Sequence, residues 1–157
     1  MRNWDLARIA TVAEIAASIG VVISVIYLGI QIQDSNKELR AQSYNDTLEM
    51  LHRPLELMVQ DQGLADLVVQ AESDPESLSP GEWQRYSYLL MLRFDAYEHA
   101  YYAHQDGEIR EELWKGIESS MQRTLSNNGF RKFWAERKSM FPEPFHGFVE
   151  TKVSDKP

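Results

Sequence analysis

Residues 9–32 read IATVAEIAASIGVVISVIYLGIQI, 24 positions with no Lys, Arg or Pro and a single acid, Glu14. As a helix rising about 1.5 Å per residue, this run is about 36 Å long, enough for a hydrocarbon core of roughly 30 Å. The part free of charged and amide side chains, residues 15–30, is 16 residues long. A span therefore puts Glu14 and Gln31 near the two interfaces. Tyr27-Leu28-Gly29-Ile30-Gln31 is not the small-x-small exit of a cleaved signal peptide, and the helical pattern runs on past it. The expected reading is a transmembrane anchor over residues 1–33, against the alternative of a buried core helix in a soluble protein.

The faces of this helix differ in chemistry. At about 100° per residue, Val12, Ile15, Ile19, Val22, Ile23, Ile26 and Ile30 fall on one side as a β-branched wall. Ala10, Ala13, Ala17, Gly20, Ser24 and Gln31 fall on the other. Small residues three or four apart let backbones approach closely, which is how helices associate in lipid. Ala13, Ala17, Gly20 and Ser24 are thus the expected interface of a homo-oligomer, with the β-branched wall facing the bilayer. Glu14 and Ser18 border that face and form a candidate polar site in the membrane, although a carboxylate so near the helix end also serves as an interfacial anchor. Arg2 and Arg8 precede the span, while Lys37, Arg40 and Arg53 follow it. Weighed as positive charge, this balance is read with the C-terminal domain in the cytoplasm.

The chain has 157 residues, 16 Lys+Arg and 24 Asp+Glu. Residues 1–33 contain Arg2, Arg8, Asp5 and Glu14, so 14 basic and 22 acidic side chains remain beyond them, a net of −8. Such a domain is repelled by phosphate backbones, which speaks against nucleic acid as a partner. The absence of Cys excludes disulfides, thiolate catalysis and Cys-ligated zinc.

Beyond the anchor every periodic segment is helical, so the expected fold class is all-α: an N-terminal transmembrane helix continuing into a small bundle over residues 34–150, with a disordered tail at 151–157. Ala41, Tyr44, Leu48, Leu51, Leu55 and Met58 keep a three–four spacing, and Pro54 is expected to end or kink this helix. After a break at Asp61-Gln62-Gly63, a short helix over 64–71 turns Leu64, Leu67 and Val68 inward. Ser79-Pro80-Gly81-Glu82 is a capping box that starts a helix reaching about residue 105, where Asp106-Gly107 stops it. Leu89, Leu90, Phe94, Tyr97 and Tyr101 are its inward residues. A helix over 108–125 carries the stripe Ile109, Leu113, Ile117, Met121 and Leu125 and ends at Asn127-Asn128-Gly129. Another covers 130–140, and a last one begins near Phe145 after Pro142 and Pro144.

The run Tyr27-Leu28-Gly29-Ile30-Gln31-Ile32-Gln33-Asp34-Ser35-Asn36, following an apolar helix, resembles the membrane-exit segment of an uncharacterised family of small bacterial proteins, a domain of unknown function. Arg93-Phe94-Asp95-Ala96-Tyr97-Glu98-His99-Ala100-Tyr101-Tyr102, leading to Asp106-Gly107, is similar to that family's central segment, and Trp114 and Phe133-Trp134 match its aromatic pattern. The likeness covers nearly the whole chain. It departs at Gln33 and Asp34, where a basic residue is expected. The resemblance implies a helical protein anchored in a bacterial inner (cytoplasmic) membrane, and supplies no activity and no catalytic residues.

Candidate chemistry is sparse. Glu49-x-x-His52 and Glu143-x-x-His146 have the spacing of di-iron ligands, the second straddling Pro144, but four such elements are needed and four His give chance matches easily, so no metal and no cofactor is expected. The densest polar–aromatic cluster is residues 93–104, in which Arg93, Glu98, His99 and Tyr102 make a candidate ligand pocket, with a central helix of satisfied polar groups as the alternative. Arg131, Lys132, Arg137 and Lys138, interleaved with Phe133 and Trp134, form a basic patch suited to anionic headgroups or to balancing nearby acids. No catalytic residue is assigned. The expected function is a membrane-anchored, homo-oligomeric scaffold, sensor or adaptor whose protein partner is unknown. Next comes a small pore lined by Glu14, Ser18 and Ser24, and then an enzyme built on residues 93–104.

Overall fold

A computed structural model describes residues 2–154, with side chains from Arg8 onward. It contains α1 (Arg2–Gln60), α2 (Gln62–Ser73), α3 (Pro80–Gln105), α4 (Glu111–Thr124), α5 (Asn128–Arg137) and α6 (Phe145–Ser154), with 3-10 turns at Pro75–Ser77 and Lys138–Met140. Among the described residues there is no strand, and the fold is all-α. The chain divides into two compact units, Met1–Arg40 and Ala41–Pro157, and the division falls inside α1, beyond the boundary expected at residue 33.

In the first unit α1 is long and apolar enough to cross a membrane, and none of its most apolar stretch is buried. Both faces are open: Ile19 is 54% exposed, and a Cβ built on Gly20 meets nothing within 4 Å. The hydroxyls of Ser18 and Ser24 donate to the carbonyls of Glu14 and Gly20, each at 2.8 Å, so both are satisfied within the helix.

In the second unit α2–α6 surround an aromatic core centred on Phe94 of α3. Its ring stacks on Phe130 at 5.3 Å, meets Tyr97 edge-on at 5.5 Å, and lies within 6 Å of Phe133, Trp134 and Phe141. Leu89, Leu90, Tyr97 and Tyr101 are buried as their spacing requires, as are Ile117, Met121 and Leu125. Leu64, Leu67 and Val68 seal α2 against the same core.

The helix ends follow local chemistry. The Asp61 carboxylate accepts from the Leu64 N–H at 3.0 Å as the N-cap of α2 and also pairs with Arg85 of α3. Ser79 and Glu82 form the reciprocal capping box of α3. The Ser79 N–H and hydroxyl both donate to the Glu82 carboxylate, at 2.8 and 2.6 Å, and hold its pKa below the ordinary carboxylate value. A lowered folded pKa contributes stability that is complete above the unfolded value and is lost as pH falls through the folded one. Ser79→Ala should therefore lower the urea midpoint at pH 7, with the gap to wild type narrowing in acid. A gap of the same size at pH 7 and pH 3 would show that the carboxylate contributes nothing.

Three expectations are corrected or narrowed. Of the two outcomes expected at Pro54, an end or a kink, the end is excluded, because α1 continues to Gln60. The missing hydrogen bond costs about 3 kcal/mol in an isolated helix, but Pro54 is buried and Leu57 and Met58 pack on the core beyond it, which offsets the loss. The helix expected over 130–140 starts earlier, at Asn128, because Asn127 caps it through Phe130 N at 2.6 Å, and its last turn tightens into 3-10 geometry. The expected tail at 151–157 is helical as far as Ser154, anchored by buried Val149 and by Lys152 paired with Glu118 at 2.6 Å; residues 155–157 lie outside the described ones.

Candidate functional site

Along residues 44–55 of α1, the apolar stripe is not sealed into the core. Thr47 and Pro54 face inward and are buried, whereas Tyr44, Leu48 and Leu51 are half-buried and Leu55 is 49% exposed. The stripe opens onto a groove of about 450 Å³, closed on its other sides by α3 and α4. Leu113, Gly116 and Ile117 continue the apolar wall from α4.

The charged side chains of the lining are two arginines. His52 of α1, Arg93 of α3 and Arg123 of α4 line the groove, and no Asp or Glu does. Three hydroxyls lie beside them. Tyr97 Oη is 3.3 Å from both Ser120 Oγ and Thr124 Oγ1, and Thr124 donates to the Ser120 carbonyl at 3.4 Å. Among the described residues, neither the Arg93 nor the Arg123 guanidinium makes an ion pair or hydrogen bond. Lys37, Arg85, Lys115, Lys132, Lys138 and Lys152 are each paired with a carboxylate.

Of the four residues grouped as a pocket by sequence, Arg93 alone lines this groove. At about 100° per residue Tyr102 is about 180° around α3 from Arg93, and Glu98 about 140°. Tyr102 instead packs edge-on against Tyr101 at 5.3 Å, and His99 is exposed. Partial loss of water raises the carboxyl pKa values of Asp95 and Glu98, and Asp95's charge raises Glu98's further. Tyr97, Ser120 and Arg123 were missed as site residues. The available signal was spacing: Tyr97 follows Arg93 by four, and Arg123 and Thr124 follow Ser120 by three and four, so each helix presents its set on one face.

His146 Nδ1 lies 3.5 Å from the Glu143 carboxylate, and its Nε2 lies 3.5 Å from that of Glu150. Among the described residues no group of three or more His, Asp or Glu is placed to hold a metal ion. The basic patch of α5 is divided rather than continuous. Lys132 pairs with Glu76 at 3.0 Å over the Trp83 ring, Lys138 pairs with Glu150 at 3.1 Å, and Phe133 and Trp134 are core residues. Glu150 also accepts from Trp134 Nε1 at 2.8 Å, and the two donors hold its carboxyl low.

No protein-family model, no curated protein and no solved structure matches this chain.

Proposed function

We propose that the protein is a membrane-anchored homo-oligomer acting as a non-enzymatic sensor, scaffold or adaptor. In this reading α1 crosses a bacterial inner membrane and residues 41–157 lie on the cytoplasmic side. The observation that carries it is the open apolar run of α1, none of which is buried by the rest of the chain. Apolar area left in water is unfavourable by about 25 cal/mol per Å², and a helix apolar on every face is covered by lipid. The small face at Ala13, Ala17, Gly20 and Ser24 supplies the seam for a second copy, because nothing in the described chain occupies the space at Gly20.

Two measurements test it. The protein should stay with the membrane pellet through carbonate and high-salt washing, and recovery in the supernatant would end the anchor reading. In detergent, Gly20→Ile should shift the oligomer towards monomer in native mass spectrometry, since it adds a branched side chain where backbones meet. Ile19→Leu, on the lipid face, should leave the distribution unchanged. Identical distributions for wild type and both variants would remove the seam.

A further inference from the structure

We propose that the groove formed by residues 44–55 of α1 with α3 and α4 binds a single-chain amphiphile with an anionic head, such as a long-chain carboxylate. The head pairs with Arg93 and Arg123, and the chain covers the leucines. Such a ligand would be what the proposed sensor senses, and its capture is measured independently of anchoring.

Charge is the first ground. Residues 34–157 carry 14 basic and 22 acidic side chains, yet the groove lining holds two arginines and a histidine with no acid. Among the described residues of this domain Arg85, Lys132, Lys138 and Lys152 sit beside carboxylates, whereas Arg40, Arg53, Arg110 and Arg131, like Arg93 and Arg123, have no ion pair. What sets Arg93 and Arg123 apart is that both line one groove with no acid in its lining. Guanidinium hydrogen-bonds carboxylate or phosphate oxygens through a fixed fork of donors, and this lining offers an anion two such groups. The hydroxyls of Tyr97, Ser120 and Thr124 add neutral polar partners in the same lining.

Apolar area is the second. Leu48, Leu51 and Leu55 line the groove without being sealed by the protein itself. A free phosphate would satisfy the arginines and leave these side chains wet, whereas an alkyl chain covers them. The volume of about 450 Å³ falls within the roughly 300–1,000 Å³ of small-molecule sites.

The test uses the full chain in nanodiscs of uncharged phosphatidylcholine and a twelve-carbon carboxylate probe bearing a diazirine. Saturable photolabelling should appear in peptides covering 44–55 and 113–124. Laurate or dodecyl phosphate should compete with it, and dodecanol or inorganic phosphate should not. Arg123→Gln changes an exposed side chain and should weaken capture about tenfold, while Arg123→Lys retains part of it. Gly116→Leu projects into open space in the groove, improves helix propensity and should block capture without unfolding α4. Labelling confined to residues 9–32, equal competition by dodecanol, competition by inorganic phosphate alone, or undiminished capture in Arg123→Gln would each overturn the proposal. Groove labelling in a chain that washes off membranes would leave the proposal standing and remove the anchor reading instead.

Discussion

Phe94→Ala is expected to destabilise the 41–157 unit by about 3–5 kcal/mol, the range for emptying a phenylalanine site in a packed core. The ring is fully buried and touches five other aromatic side chains drawn from α3, α5 and the segment before α6. Its removal takes away transfer free energy and ring–ring contacts together, and the surrounding rings are too rigid to close the gap by changing rotamer. Because a small domain has about 5–15 kcal/mol of net stability, the loss is a large share of the total. Urea unfolding of the detergent-solubilised protein, followed by tryptophan fluorescence, should show a lower midpoint with an unchanged slope. A change below about 1 kcal/mol would mean that Phe94 is not the centre of the core.

Gly129→Ala should cost about 1–3 kcal/mol or more, an unusual penalty for adding one methyl group. A Cβ at this position would lie 2.6 Å from Tyr86 Oη and 2.7 Å from the Ala71 carbonyl oxygen, both inside van der Waals contact. Glycine here is therefore a packing requirement, the point at which α5 approaches the backbone of α2. Burial raises the Tyr86 phenol far above its ordinary value, so the ring stays neutral and cannot escape towards water by ionising. Replacing Tyr86 by Phe in the Gly129→Ala background removes the Oη contact but leaves the Tyr86 ring-carbon and Ala71 carbonyl contacts, each at 2.7 Å, so it should restore only part of the loss. Wild-type stability in Gly129→Ala, by the same urea measurement, would show that α5 sits further from α2 than the structure places it.

Features decided within a few residues of sequence were legible. Ser79 and Glu82 cap α3 because both groups lie within one turn, whatever surrounds them. Gly107 takes φ +72 after Asp106, a conformation glycine adopts without a side-chain clash, so α3 stops where Asp106-Gly107 indicates. The inward stripes of α3 and α4 follow from 3.6-residue periodicity alone. The length and apolarity of residues 9–32 likewise mark a helix able to cross a membrane before any fold is known. Tertiary structure decided the rest. Pro54 lies inside a helix rather than at its end because the core it packs on offsets a local penalty that the sequence displays without its compensation. Asn127, which reads as the end of one helix, is also the cap of the next, since its side chain bonds forward to Phe130. Arg93 and Arg123 are 30 positions apart, and only the packing of α3 beside α4 turns them into the cationic lining of one groove. The apolar stripe of residues 44–55 is visible in sequence as a face that avoids water, but whether protein seals it or leaves it open depends on how closely the facing helices approach, which no local pattern encodes.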